Sequence, residues 1–389
     1  MNTPLNLLGG LTAADFLRQY WQKRPLLVRN ALPDFHTPIE PDELAGLACE
    51  EEVESRLVLE RGGATPWALE HGPFDEARFS TLPETHWTLL VQECNKYLPE
   101  LASLLDQFNF IPNWRIDDVM VSFAPLHGSV GPHLDQYDVF LVQGLGTRRW
   151  QISSEPVAAD NVIPGLDLRI MREFTASEEW VLAPGDMLYL PPGMAHYGVA
   201  LEDCMTFSVG FRAPSHAELV GGFFDAVIAG MDTEQRYSDP DLTLQTHPGE
   251  IAAGARERVR AIIRAAVSDD AAIDDWFGRY ITEAKAGAAV PLDEPLAPAE
   301  FQRQFAECDR LLRSEYARFA FSQGPGGTTL YVDGRAFPLD PANTLLAPLL
   351  CDRREYAYQD LAQALESESA LKLITEMYNC SYVEFPYET

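Results

Sequence analysis

The first hundred residues alternate short helix-like and strand-like patterns. Thr12-Ala13-Ala14-Asp15 has the form of a capping box, and Phe16, Leu17, Tyr20 and Trp21 follow at helical spacing. Pro25 closes that helix, Leu26-Leu27-Val28 reads as a short strand, and Pro41-Asp42-Glu43-Leu44 opens a second helix with proline at a tolerated early position. The spacing over residues 87–108 predicts a longer amphipathic helix interrupted near Pro99. From residue 117 to 213 the texture changes to short apolar runs, at 119–123, 139–142, 150–152, 187–190 and 205–209, separated by Gly and Pro. Many short strands with regular turn signals predict an antiparallel sandwich or barrel. Helical spacing returns over about 216–282, and residues 256–267 are its clearest amphipathic segment. Residues 289–298, rich in Pro, Ala and acid, predict a linker. A helix over 298–312, a hairpin folded at Gly324-Pro325-Gly326-Gly327 and two more helices then follow in the order of a small winged-helix-like domain.

Composition narrows the function classes. At 389 residues the chain is long enough for two or three domains, and 46% hydrophobic with 11% aromatic residues excludes disorder of the whole. Fifty-nine acidic residues against 29 basic give a net charge of −30. Such a surface repels phosphate backbones, which argues against direct nucleic-acid binding; it either attracts basic partners or serves solubility. The acidic helices of the last domain point the same way, to a structural or protein-binding role. The six cysteines lie far apart with no CxxC, the pattern of ordinary thiols in a reducing compartment. The start lacks a basic, apolar leader and no apolar run reaches membrane-spanning length, so a cytoplasmic protein without membrane association is expected.

The candidate chemistry centres on Gly131-Pro132-His133-Leu134-Asp135-Gln136-Tyr137-Asp138. On a strand, alternation would turn His133, Asp135 and Tyr137 to one face. Downstream, Pro191-Pro192-Gly193-Met194-Ala195-His196 follows the strand-like run at 187–190. Two imidazoles and one carboxylate form the facial set that holds Fe(II) and leaves three positions open. Zinc is the rival metal, although a structural zinc site would want a fourth ligand, usually Cys.

Alternation also puts Arg148 on the apolar face with Trp150 and Ile152. A buried cation needs an anion, and the distal carboxylate of 2-oxoglutarate is an apt one; a barrel carboxylate in an internal ion pair is the alternative. Asp118, Met120 and Ser122 share a face, as do Thr206, Ser208 and Gly210. If these line the mouth, Ser122 can hydrogen-bond 2-oxoglutarate, and Asp118, Met120, Tyr137 and Ser208 can receive a cationic side chain. Otherwise Met120 and Tyr137 are core filling and Asp118 caps a turn.

These residues closely resemble the JmjC-type ribosomal oxygenases. The resemblance runs collinearly through Phe16-Leu17-Arg18-Gln19-Tyr20-Trp21, Lys23-Arg24-Pro25-Leu26-Leu27, the Gly131 to Phe140 block and Arg148-Arg149-Trp150. It continues through Pro184-Gly185-Asp186, Pro191-Pro192-Gly193 with His196, Ser208-Val209-Gly210-Phe211-Arg212-Ala213-Pro214, Tyr237-Ser238-Asp239-Pro240 and Trp276-Phe277-Gly278. It implies a mainly β fold with helices: a double-stranded β-helix (cupin/JmjC) core, a helical dimerisation region and a C-terminal winged-helix domain. The corresponding domains would be residues 1–215, 216–288 and 296–389.

It further implies Fe(II) on His133, Asp135 and His196, which with the metal form the catalytic centre. 2-Oxoglutarate would bind to Arg148 and Ser122, with O2 as the other cosubstrate. The bacterial branch hydroxylates an arginine of ribosomal protein L16 at its β-carbon, so L16 is the expected partner and a homodimer the expected assembly. A ribosomal histidyl hydroxylase, a cupin isomerase and a non-catalytic binding or assembly factor are the alternatives. One departure is Leu126-His127, where relatives are often glycine-rich; His127 could therefore affect substrate access.

Overall fold

The run Val139-Phe140-Leu141-Val142 is apolar at every position, which suits a strand buried on both faces. It is such a strand in the computed structural model, which describes residues 3–62, 66–166, 168–284 and 289–386. The chain divides into two compact units, Met1–Ala213 and Pro214–Thr389. Of the expected domain limits, residues 1, 288 and 389 lie outside the described residues.

The first unit contains, in order, α1 (Ala13–Gln19), β1 (Leu26–Val28), α2 (Pro41–Leu47), β2 (Ser55–Glu60), β3 (Trp67–His71) and α3 (Glu76–Phe79). Next come β4 (Trp87–Val91), α4 (Pro99–Asp106), β5 (Ile116–Ala124), β6 (His133–Leu134), β7 (Val139–Leu145) and β8 (Arg148–Ser153). β9 (Glu178–Leu182), β10 (Met187–Leu190), β11 (Ala195–Ala200) and β12 (Cys204–Phe211) complete it. Thr12 caps α1 as expected, its hydroxyl accepting from the Asp15 amide at 3.1 Å.

Eight strands form one sheet in the order β1-β10-β7-β12-β5-β4-β2-β3, and four form another, β6-β11-β8-β9. Val139 and Leu141 of β7 join Leu188 and Leu190 of β10 in a cluster with Trp150, Ile152 and Leu182 from the smaller sheet. That cluster fills the space between the sheets. Phe140 and Val142 point the other way, packing with Val119, Val121, Phe207 and Val209 and with Phe16, Leu44, Leu101 and Phe108. The helices therefore cover the outside of the larger sheet, and the two sheets face each other as a double-stranded β-helix.

Residues 87–108 are not one helix. Trp87–Val91 is β4, paired with β2 and β5, and only Pro99–Asp106 is α-helical. A run that is apolar except at Thr88 carries no clear period that separates strand from helix, and pairing across neighbouring strands settles it. The alternation expected of β8 holds: Arg148, Trp150 and Ile152 are buried, Arg149 and Gln151 partly exposed.

The second unit begins with α5 (His216–Ala229), α6 (Ala253–Ala266), α7 (Asp270–Thr282) and α8 (Pro298–Cys308). β13 (Arg310–Arg313), β14 (Phe319–Gly324), β15 (Gly327–Val332), β16 (Arg335–Leu339) and α9 (Leu346–Asp352) follow. It ends with β17 (Glu355–Ala357), α10 (Tyr358–Leu361), α11 (Glu368–Asn379) and β18 (Val383–Glu384). The helical block is thus broken between α5 and α6. The helix expected over 298–312 stops at Cys308, because Asp309 turns to a left-handed φ of 57° and the next four residues pair as β13 between β17 and β18. The hairpin is β14–β15, extended by β16. Phe301, Phe305, Leu350, Tyr356 and Ile374 form this unit's own core. Residues 289–298 are tied down, since Leu296 and Asn379 exchange two hydrogen bonds.

Candidate metal and cosubstrate site

β6 pairs with β11 so that His133 stands opposite His196, with Ile152 of β8 on the other side of His196. The two imidazole centroids are 4.3 Å apart. β6 ends at Leu134, so Asp135 is set by the loop rather than by strand alternation. Its carbonyl accepts the Gly193 N–H at 2.6 Å, and Gly193 supplies the positive φ (77°) that the Pro-Pro-Gly turn needs. Asp135 Oδ2 lies 3.9 Å from His133 Nε2 and 3.6 Å from His196 Nε2, and the three donor atoms fall within 4.8 Å of one another.

Each ring's Nδ1 bonds at 2.9 Å to the carbonyl two residues earlier, Gly131 for His133 and Met194 for His196. A carbonyl only accepts, so each Nδ1 carries the proton and each Nε2 lone pair is left for a metal. Burial, with His133 nearby, pushes His196 down to about 4, which keeps its ring neutral at pH 7. Two imidazoles and a carboxylate, with no cysteine in the cluster, fit an open Fe(II) site better than a closed structural zinc site.

Arg148 is 2% exposed. Its guanidinium carbon lies 5.0 Å from the Trp150 ring, which is itself 5.9 Å from the His196 ring. Nη2 donates to the Gly198 carbonyl at 3.4 Å, and the Cys204 thiol is its other neighbour. Nε has no hydrogen-bond partner, and among the described residues no carboxylate pairs with the group. Desolvation lowers the pKa of this arginine, as expected for a cation shut away from water. A Cβ at residue 198 would sit 2.8 Å from Arg148 Nε and 2.7 Å from the Trp150 ring, so glycine is required there. This is a cationic pocket lacking an anion, which suits a carboxylate ligand.

Ser122 is buried on β5 beside Thr206 of β12, and its hydroxyl lies 3.4 Å from the Thr206 carbonyl. Thr206 in turn donates to Gln143, whose amide holds the Leu145 and Gly146 carbonyls of the β7–β8 turn.

Asp118 and Met120 share Ser122's face, and Met120 stands opposite Ser208 on β12. Asp118 and Ser208 are buried. Asp118 Oδ2 accepts from the Glu93 amide at 3.1 Å and from Gln92 Nε2 at 3.0 Å, so this carboxylate does hold a turn while facing the barrel. Met120 packs on the apolar cluster of Val58, Trp67, Leu90 and Ile170. Tyr137 lies in the bend after β6, where strand parity does not apply. The residue is 43% exposed, yet its hydroxyl is crowded; burial there, then Asp135 and Asp118, raise the phenol pKa.

His127 is elsewhere. Its amide donates to Ala200 at the end of β11, beside Arg148 in the register, and its exposed ring lies 5.0 Å from that of His86. It thus lies at the end of β11 that carries Ala200, opposite Arg148. Gly198, Gln143, Gln92 and Arg56 were not legible as site residues, because only cross-strand register brings them there.

Residues 103–219 match the family model of the JmjC domain, and residues 265–384 that of the ROXA-like winged helix. The ribosomal protein uL16 3-hydroxylase of Escherichia coli (strain K12) is 38% identical over 371 residues, covering 95% of this chain and 96% of that one. The chain belongs to the JmjC-type ribosomal oxygenases. An X-ray structure of E. coli YcfD superposes with a TM-score of 0.86 at 36% identity, covering 97% of this chain and 98% of that one. A structure of the E. coli ribosomal oxygenase YcfD in complex with cobalt and 2-oxoglutarate gives a TM-score of 0.84 at 35% identity, over 97% and 99% of the two chains. Among the described residues of this ribosomal oxygenase, no helix is long and apolar enough to cross a membrane.

Proposed function

We propose that this ribosomal oxygenase is an Fe(II)- and 2-oxoglutarate-dependent hydroxylase acting on C3 of an arginine in ribosomal protein L16 (uL16). The observation that carries the reading is the buried Arg148, with no carboxylate partner among the described residues, beside a two-histidine, one-carboxylate cluster. His133, Asp135 and His196 would hold the iron. Bound there, iron supplies O2 activation coupled to oxidative decarboxylation of 2-oxoglutarate to succinate and CO2.

The chain's own residues bind and aim. Arg148 takes the far carboxylate of 2-oxoglutarate, its unpartnered Nε being available for one of two parallel hydrogen bonds. Ser122 adds a hydroxyl to that pocket. The apolar wall of Trp150, Ile152, Leu188 and Leu190 excludes water. Asp118 meets the substrate guanidinium, Tyr137 offers its ring face, Met120 packs on the aliphatic stem and Ser208 contributes a hydroxyl.

The domain division is part of the same proposal: an oxygenase domain to residue 215, a dimerising helical region over 216–288 and a winged-helix domain over 296–389. No residue of α5 or α6 is buried, and Val220, Ile228, Val259, Ile262 and Ile263 are exposed, a surface suited to a second copy. A net charge of −30 favours encounter with a basic ribosomal protein over direct contact with nucleic acid, and such a substrate places the enzyme in the cytoplasm.

The test is incubation with Fe(II), 2-oxoglutarate and L16-derived peptides. Mass spectrometry should find one added oxygen on an arginine, with matching succinate. A product on histidine peptides alone would move the assignment to histidyl hydroxylation, and no 2-oxoglutarate turnover would leave a binding factor. Sedimentation of the wild type against Ile262→Glu reads the dimer.

A further inference from the structure

Arg56 on β2, Asp118 on β5 and Gln92, the residue just after β4, come together on one face of the larger sheet. Arg56 of β2 stands opposite Leu90 of β4, which stands opposite Ser122 of β5. Asp118 is four residues before Ser122, so strand alternation turns Arg56 and Asp118 toward the inside of the barrel, the face that carries Met120; Gln92 follows β4 directly, its N–H still bonded to the Glu54 carbonyl at 2.9 Å, and its side chain reaches both. The Gln92 amide lies between the two charged groups. Its Oε1 accepts from Arg56 Nη2 at 3.0 Å, and its Nε2 donates to Asp118 Oδ2 at 3.0 Å. A side-chain amide accepts through its oxygen and donates through its nitrogen, so a guanidinium at one end and a carboxylate at the other fix its orientation. Arg56 Nε is buried without a hydrogen-bond partner. Asp118 Oδ1 lies on the Gly210 side, where a Cβ would come within 3.4 Å of it.

We infer that Gln92 is a positioning residue and a spacer: it holds Asp118 Oδ2 and prevents Arg56 from forming an ion pair with this carboxylate. The inference rests on the proposed role of Asp118 in taking the substrate's cationic side chain. An arginine beside that carboxylate would otherwise be its natural bidentate partner and would neutralise the charge meant for substrate. A neutral amide satisfies both groups and transfers no charge between them. The arrangement accounts for a partly buried guanidinium close to a site that must bind a second guanidinium. It also makes Gln92 a determinant of selectivity for cationic over neutral side chains.

The experiment is a double-mutant cycle on the full-length, Fe(II)-loaded enzyme with L16-derived arginine peptide and its citrulline analogue. Gln92→Ala should raise the peptide KM by about tenfold, near the 1.4 kcal/mol per decade of a modest ion-pair loss, with a much smaller change in kcat. It should also narrow the preference for arginine over citrulline. Adding Arg56→Met should restore most of the lost affinity, because no cation is left to collapse onto Asp118. An unaltered KM in Gln92→Ala, or a double variant no better than the single one, overturns the spacer role. Gln92→Ser serves if Gln92→Ala does not fold. The crystal structure of the substituted protein reads the same point without substrate: a direct Arg56–Asp118 ion pair supports the inference, and an undisplaced Arg56 refutes it. If that pair forms while the wild type fails to oxidise arginine peptides, the spacer stands and the proposed substrate falls.

Discussion

Replacing Arg148 with methionine should make the ligand-free protein more stable while abolishing its response to 2-oxoglutarate. In the free pocket the guanidinium is 2% exposed, has one long hydrogen bond at 3.4 Å and lacks a carboxylate partner among the described residues. Exchanging buried ionic groups for apolar side chains of similar volume is neutral or stabilising by up to about 4 kcal/mol. Taking about 1 kcal/mol, melting of the first unit should rise by roughly 2–4 °C. With ligand the sign reverses. Losing one partner of a buried, hydrogen-bonded charge pair costs about 3–5 kcal/mol, which is roughly 10²- to 10⁴-fold in affinity. At 2-oxoglutarate concentrations about 100 times the wild-type Kd, the wild type gains about 2.7 kcal/mol of stability, whereas the variant gains under about 0.5 kcal/mol. Thermal melts of Mn(II)-loaded wild type and Arg148→Met, with and without 2-oxoglutarate, measure both effects, and calorimetry gives the Kd. A variant that melts below the wild type when ligand-free and still shifts upward with 2-oxoglutarate would refute the assignment of Arg148 as the cosubstrate's anchor.

Three further outcomes follow from named contacts. Asp135→Ala removes the one carboxylate of the cluster and should weaken Mn(II) binding by at least about 100-fold, read by paramagnetic resonance of the free ion, since metal sites lose affinity steeply with ligand number. Gly198→Ala forces a methyl group to within 2.8 Å of Arg148 Nε and should raise the KM for 2-oxoglutarate more than that for the peptide; equal changes in both would show that the clash disturbs the whole barrel. Gly278→Ala drives a methyl into the Tyr331 ring at 2.4 Å, between α7 and β15, and should cost the second unit about 1–3 kcal/mol in urea unfolding while leaving iron binding intact.

The metal half of the site was open to sequence reading because its signals are local. Gly131-Pro132-His133-Leu134-Asp135 and Pro191-Pro192-Gly193 with His196 each place a ligand within a few residues of a turn, and one short pairing, His133 opposite His196, joins them. Arg148 was readable for a related reason: β8 is half-buried, so alternation names its inward residues. The same rule does not reach Tyr137, where the strand stops at Leu134, nor residues 87–91, where Thr88 is the one polar position and no clear alternation exists. The place of His127 was not readable because its loop position says nothing about which end of the barrel it closes; its bond to Ala200 does.

The substrate half demands a different kind of information. Nothing in the intervals between residues 56, 92 and 118 relates them, and each taken alone is an ordinary polar residue at a strand position. They become one unit only when β2, β4 and β5 lie side by side in the register that aligns Arg56 with Leu90 and Leu90 with Ser122. A slip of one residue in β4 would turn Gln92 outward, bring Arg56 against Asp118 and change the charge offered to substrate. The apolar residues that fix this register, Leu57, Leu89 and Val91 on the outer face, are buried in the core shared with the helices. Packing on the side of the sheet away from the chemistry thus decides which charges meet on the side that faces it. A substitution such as Leu89→Asn, remote from the metal, should therefore act on peptide selectivity as well as on stability.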